Sequence, residues 1–187
     1  MPKPVLDRWL LDRQQWLVAH GVDCRQIDCR MRLEPLDAPL RQEFLKRQWN
    51  RWHDALDACY GDCVLRRPEI AEIVGDSLLH FEGERYVILD YVVMPNHVHL
   101  LASFPNETEM LAQCKSWKHY TARRINHRLR RMGHFWQADA FDHLVRSDKQ
   151  FEYLRRYIAA NPRRAKLQAG DALHYSRPLP ASESAPK

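Results

Sequence analysis

Two histidines separated by one residue, His97 and His99, are the clearest chemical feature of this chain. In an extended strand, alternate side chains project from one face about 7 Å apart, so both imidazoles can approach a single ion. Two neutral imidazoles bind a divalent metal without adding negative charge, which leaves the ion able to polarise a phosphate oxygen. The alternative is a pair of hydrogen-bonded histidines on a sheet face, and the spacing alone leaves both interpretations open.

A tyrosine and an asparagine in the segment YIAANP could act at the same place. Tyr157 and Asn161 are four residues apart, so on a helix they share one face. An amide oxygen is a hard ligand suited to Mg²⁺ or Mn²⁺, and a phenol oxygen can attack phosphorus to form a covalent intermediate. The alternative is a core aromatic residue followed by an ordinary helix end before Pro162.

Positive charge is concentrated between Lys115 and Lys166. That segment has fourteen Lys and Arg residues against four acids, a net of +10, whereas the rest of the chain has a net of -5. Clustered cations suit a polyanion, because each neutralised phosphate releases a counterion, although a solvated helix face is the alternative. The cations predicted to contact such a polyanion, which the resemblance given below identifies as DNA, are Lys115, Lys118, Arg123, Arg124, Arg146, Arg155, Arg156, Arg163 and Arg164.

The elements that must position these residues follow from the hydrophobic periodicity. Helices are predicted over 5–20, from Asp37 to about Tyr60, after Pro68, from Asn106 to about Arg131, and from Asp148 to before Pro162. Strands are predicted at 26–34, 85–94, 97–104 and 140–146. This order predicts an α+β protein with a ferredoxin-like, split-βαβ antiparallel sheet. We expect helices on one face of the sheet, an extra N-terminal helix and a disordered C-terminal tail.

Composition excludes several classes of protein. The 187 residues are 45% hydrophobic, which is typical of a globular chain of one domain, and the six glycines form no Gly-rich phosphate motif. No apolar run approaches the roughly 20 residues of a membrane span, and the N-terminal segment lacks the apolar stretch of a signal peptide, so we expect a cytoplasmic protein. Five cysteines without a CxxC pair favour reduced thiols.

Taken together, four segments resemble the REP-associated tyrosine transposases, a group of single-tyrosine HUH transposases and nucleases of insertion-sequence type. The segments are YVVMPNHVHLL (91–101), SWKHYTARRIN (116–126), FWQADAFDHLVR (135–146) and YIAANPRRAKL (157–167). The resemblance implies the HUH endonuclease fold, with His97 and His99 as the HUH pair, Asn161 as the third metal ligand and Tyr157 as the nucleophile. It also implies Mg²⁺- or Mn²⁺-dependent cleavage and rejoining of single-stranded DNA at short palindromic hairpins, through a 5′-phosphotyrosine intermediate.

The resemblance also suggests how the chain is divided. Residues 1–60 form a divergent N-terminal helical segment with a candidate first strand at 26–34, residues 61–168 form the HUH core, and residues 169–187 form a flexible tail, in one domain overall. The candidate first strand is more charged than the apolar strand with which many members begin. Two other functions stay open, namely a repurposed nucleic-acid-binding protein without catalysis and a metal-dependent phosphohydrolase that uses an activated water. The chain could act as a monomer or a homodimer.

Overall fold

Helices and strands are described over residues 3–22, 36–58, 61–137 and 144–178 of this computed structural model. The chain divides into two units, Met1–Asp62 and Cys63–Lys187. The predicted strand 26–34 and residues 140–143 of the predicted strand 140–146 lie outside the described residues. Within those residues, every helix is too short or too polar to span a bilayer.

The first unit contains two described helices, α1 (Lys3–Ala19) and α2 (Ala38–Asp57). As predicted, α1 stops at Gly21, whose φ of +77° is a conformation that glycine adopts without steric cost. Asp37 is the predicted N-cap of α2, and its side chain accepts a hydrogen bond from the Leu40 amide at 2.9 Å. Among the residues described in this unit, the buried apolar cluster consists of Trp16, Leu17, Val22, Leu36 and Phe44.

The second unit is built on a three-stranded antiparallel sheet with the order β2-β1-β3. Its elements are α3 (Pro68–Leu79), β1 (Val87–Val93), β2 (Val98–Ser103), α4 (Glu107–Arg128), α5 (Asp148–Arg164) and β3 (Leu173–Ser176). The α+β class with an antiparallel sheet is therefore confirmed, and β1 and β2 form at the predicted places.

Helices cover both faces of this sheet, whereas the sequence predicts helices on one face. Tyr91 and Val93 of β1 pack in the same cluster as α3 and α4. Val92 and the following Met94 pack in a separate cluster with Tyr157 of α5. Since successive strand residues point to opposite faces, α5 lies across the sheet from α3 and α4. The physical reason is that β1 is apolar at consecutive positions, so that both of its sides need cover.

A β-bulge interrupts the alternation of β1. The pairing of β1 with β2 shifts between Ile88 and Asp90, which leaves Leu89 as the extra residue. A bulge re-aims the side chains that follow it. As a result, Leu89 packs in the α5 cluster although Tyr91 and Val93 face the other way. Asp90 faces α5 by regular alternation with Val92, and its carboxylate pairs with Arg155.

Helix α5 departs from the prediction at both ends. Its N-cap is Ser147 rather than Asp148, and the Ser147 side chain accepts a hydrogen bond from the Gln150 amide at 3.2 Å. The helix also continues through Pro162 to Arg164 instead of ending before the proline. Proline removes one backbone donor, and a position this close to the end of the helix limits the loss.

Strand β3 lies inside the segment 169–187 that the sequence predicts to be a flexible tail, so this part of the prediction is wrong for 173–176. The strand pairs with β1 from Asp90 to Val93, which provides partners for the exposed backbone of β1. The Tyr175 ring stacks on the Tyr91 ring with centroids 5.3 Å apart. A strand of four residues is too short to show a clear hydrophobic period in the sequence. Its formation therefore depends on tertiary pairing with β1.

Candidate functional site

The histidine pair is positioned by the tight turn between β1 and β2. The Met94 amide donates to the His97 carbonyl at 2.8 Å, which closes the turn and places His97 directly before β2. His99 lies within β2, opposite Val92 of β1, on the face covered by α5. Val98 packs on the other face, toward α3 and α4. The predicted alternation across this strand is therefore observed.

The two imidazole rings meet edge to face. Their Nε2 atoms are 2.9 Å apart, and the ring planes are inclined at 88°. His97 Nδ1 lies 2.7 Å from Asn96 Oδ1, and because an amide oxygen only accepts, Nδ1 carries a proton; in the neutral ring Nε2 then has a lone pair. Two ligands at right angles around an ion about 2.1 Å away are about 3.0 Å apart, which matches the Nε2 separation. The same separation also suits a hydrogen bond between the rings.

Tyr157 is the tyrosine that the fold brings to this pair. Its ring centroid lies 5.5 Å from that of His99, at an interplanar angle of 83°. Tyr157 is 7% exposed and packs with Val92 and Met94 of the sheet. Tyr153, one turn earlier on α5, is 53% exposed. The helix register therefore sets Tyr157 rather than Tyr153 against the histidines.

Asn161 is completely buried one helical turn after Tyr157, with 0% exposure. Neither its amide oxygen nor its amide nitrogen has a hydrogen-bond partner in the described part of the chain. Leaving a buried polar group unsatisfied costs about 1–3 kcal/mol, so such a group calls for a partner from outside the chain, such as a water or an ion. Among the described residues no cluster of three or more His, Cys, Asp or Glu side chains could hold a metal ion, so a metal at the histidine pair would need a ligand of another type. Asn161 is chemically suited to that role.

A cation stands beside the candidate nucleophile. The Arg164 guanidinium carbon is 5.0 Å from the centroid of the Tyr157 ring. Arg164 belongs to the last turn of α5, where Arg163 is also exposed to solvent. A positive charge at this place would favour a phenolate or a phosphate group near the tyrosine.

Arg155, predicted to contact DNA, binds inside the protein. Its Nε donates to Asp90 Oδ2 at 2.6 Å, and its Nη2 donates to Ser176 Oγ and the Arg177 carbonyl, each at 2.9 Å. The physical reason for this arrangement is that a fully buried carboxylate needs a charged partner. A DNA contact by Arg155 stays a prediction. Asp90 itself is 1% exposed and was not among the residues predicted from the sequence to be functional. The signal was a single acid within the apolar run VILDYVV.

The remaining predicted cations are divided between the two faces of the sheet. On α4, buried residues recur every four positions, which leaves Lys115, Arg123 and Arg124 exposed on the side of the sheet opposite the histidines. Arg124 lines a cavity of about 280 Å³ between α3 and α4. The other predicted cations of this part are Lys118 on α4, half-buried, Arg146 before α5, exposed, and Arg156 on α5, exposed.

A second buried tyrosine, Tyr91, lies on the face of the sheet away from the histidines. Burial raises the pKa of its phenol above 10.0, and the negative charges of Asp76 and of ionised Tyr175 raise this pKa further. A phenol that resists ionisation and faces the α3 side is suited to the core rather than to nucleophilic attack.

Part of the second unit matches a known protein family. Residues 68–161 match the family described as "Transposase IS200 like". The matched span is half of the chain and includes both histidines, Tyr157 and Asn161. No curated protein and no solved structure gives a significant match to the chain.

Proposed function

The chain belongs to the family of IS200-like transposases, and from that premise we propose that it cleaves and rejoins single-stranded DNA through a 5′-phosphotyrosine intermediate. The substrate class is short palindromic, REP-like DNA that folds into hairpins. The observation that carries this proposal is the approach of the Tyr157 ring to His99, with centroids 5.5 Å apart on the α5 face of the sheet.

Tyr157 is the proposed nucleophile. Its phenolic oxygen forms a bond to the scissile phosphorus, the bond from phosphorus to the 3′ oxygen breaks, and that oxygen takes up a proton to leave as a 3′-hydroxyl. The phenol proton is released in the same step. Because the phosphotyrosyl bond retains the energy of the phosphodiester, a 3′-hydroxyl can reverse the attack and rejoin the same strand or another.

The proposed metal ligands are His97, His99 and Asn161, which would hold Mg²⁺ or Mn²⁺. Such an ion would stabilise the negative charge that develops on the phosphate. Three features support this set, namely the lone pair on His97 Nε2, the 2.9 Å between the two Nε2 atoms, and the buried amide of Asn161. Asn96 acts through His97, because its side-chain oxygen holds that ring in the ligating tautomer.

DNA contacts at the reaction centre are proposed for the exposed arginines of α5. Arg164 is adjacent to Tyr157 and would bind the scissile phosphate or its neighbour. Arg156 and Arg163 would bind flanking phosphates. The exposed cations of α4 lie across the sheet, so we assign them to a more distant part of the hairpin.

The test is covalent capture on a hairpin oligonucleotide taken from inverted repeats that flank the gene. With Mg²⁺ or Mn²⁺, wild-type protein should form an adduct that withstands boiling in detergent and carries a 3′-end label but not a 5′-end label. Tyr157→Phe keeps the ring and its packing, so it should bind the oligonucleotide normally and form no adduct. Excess chelator should abolish the adduct and leave most of the binding.

Tyr153→Phe is the matched control, since Tyr153 lies one turn earlier on the same helix and stacks on Tyr157 with centroids 6.3 Å apart. This variant should retain the adduct. An adduct mapped to Tyr153 would overturn the assignment, and cleavage without an adduct would indicate the phosphohydrolase instead. Intact DNA in every reaction would favour the non-catalytic binding protein, in which the two histidines form only the hydrogen bond that their 2.9 Å separation also permits.

A further inference from the structure

A buried ion pair fastens the helix of the proposed nucleophile to the sheet. Asp90 is 1% exposed, and its Oδ2 lies 2.6 Å from Nε of Arg155 on α5. Asp90 faces this helix because it alternates with Val92, which packs in the α5 cluster. The pair therefore lies on β1, the strand that directly precedes the histidine turn.

The same arginine also reaches the third strand. Its Nη2 donates to Ser176 Oγ and to the Arg177 carbonyl, and Ser176 is the residue of β3 that pairs with Asp90. One guanidinium therefore joins α5, β1 and the end of β3. Ser176 and Arg177 lie beyond residues 68–161, the span that matches the family.

We propose that Asp90 and Arg155 position Tyr157, by fixing the rotation and the axial placement of α5 on the sheet; this inference rests on the proposed function. Arg155 precedes Tyr157 by two residues, which on a helix is about 200° of rotation. Arg155 and Tyr157 therefore project from different sides of α5. The ion pair holds one side of the helix, and the other side carries Tyr157 toward His99. A helix held on that side cannot roll without moving the phenol away from the histidines.

Stability alone is a weak reason for such a pair. Removing two charges from water is costly, and well-packed apolar residues often replace a buried ion pair without loss of stability. Geometry is a better reason, because a guanidinium with its donors in a rigid plane sets direction as well as distance. A misplacement of about 1 Å in a catalytic group can lower a rate by about 100-fold.

The experiment separates positioning from folding and from DNA binding. Single-turnover adduct formation is measured at saturating hairpin oligonucleotide, alongside DNA affinity by fluorescence anisotropy and thermal melting. In the double variant Asp90→Leu, Arg155→Met, which replaces the pair by apolar side chains, the adduct rate should fall at least about tenfold, while affinity changes less than about twofold. Arg155→Lys keeps the positive charge opposite Asp90 but loses the two hydrogen bonds to Ser176 and Arg177. Its adduct rate should therefore fall less than that of the double variant, again without a matching loss of affinity.

Arg51→Gln is the control, because it removes a salt bridge to Asp12 within the first unit, which involves no residue of α5 or of the sheet. Its adduct rate should equal that of the wild type. If the double variant fails to fold, Arg155→Lys decides. Wild-type rates in the folded variants, or rate and affinity falling together, would overturn the positioning role. A wild-type protein that forms no adduct would instead refute the proposed function.

Discussion

Asn161→Ala tests directly whether the buried amide is kept for a ligand. The change removes two polar atoms that have no hydrogen-bond partner in the described part of the chain, which should recover about 1–3 kcal/mol. Alanine also gains up to about 0.7 kcal/mol in helix propensity. Against this, a cavity of roughly 40 Å³ costs about 1 kcal/mol. The metal-free variant should therefore be more stable than the wild type by about 1 kcal/mol, or about 2–4 °C in Tm.

A bound ion should reverse this order. An ion at a concentration 100 times its Kd stabilises the folded state by about 2.7 kcal/mol, provided that it binds only that state. The wild type should gain this stability in Mn²⁺ or Mg²⁺, whereas Asn161→Ala should gain much less. The variant is thus expected to melt above the wild type in chelator and below it in metal.

The assay is thermal melting in chelator and in each metal, with Asn126→Ala as the matched control. Asn126 is also on a helix, but its amide is satisfied, since it donates to the Gly133 carbonyl at 2.8 Å and accepts from Arg131 Nε at 3.1 Å. The control should lose about 1 kcal/mol in both conditions. If Asn161→Ala loses as much in chelator as Asn126→Ala does, the amide is not an unsatisfied group and its assignment as a ligand is refuted.

Three further predictions concern packing, ionisation and charge. Gly75→Ala should lower stability in urea by up to about 2 kcal/mol, because overpacking costs about 1–3 kcal/mol and alanine regains about 1 kcal/mol of helix propensity. A Cβ there would lie 2.8 Å from Leu173 Cδ2 and 2.9 Å from Tyr91 Oη, and a higher midpoint than the wild type would contradict this packing. The raised pKa of Tyr91 favours its neutral form in the folded state, so its stabilising contribution is complete below a pH of about 10 and is lost as pH rises through the folded pKa. The Tm of Tyr91→Phe should accordingly fall less than that of the wild type between about pH 9 and about pH 11.5, and parallel curves would exclude this ionisation. Arg163→Glu combined with Arg164→Glu should weaken single-strand binding and reduce the salt slope of log K by about 1.4 if both residues contact phosphates, and an unchanged slope would remove them from the interface.

Much of the local structure could be predicted from the sequence, because short-range chemistry decides it. Gly21 ends α1 by its positive φ, and the Asp37 and Asn106 side chains cap helices through bonds to amides three residues ahead. The side chains of His97 and His99 project in the same direction because alternate residues of an extended segment do so. The i, i+4 spacing likewise places Tyr157 and Asn161 on one side of α5. Each of these features depends on residues within one turn or one hairpin.

Tertiary structure decided the features that depend on residues distant in sequence. The bulge between Ile88 and Asp90 exists only in the pairing of β1 with β2, and strand β3 forms only because it can pair with β1. Tertiary structure also gave Arg155 an internal ion pair, since this guanidinium, 65 residues along the chain, is the partner that the buried Asp90 carboxylate meets in the folded state. The sequence by itself determined which side chains could do chemistry and on which local face each lies. Only the packing of α5 on the sheet decided that Tyr157 contacts His99. The physical reason is that the position of a helix on a sheet depends on the apolar surface that all the residues of both elements bury together.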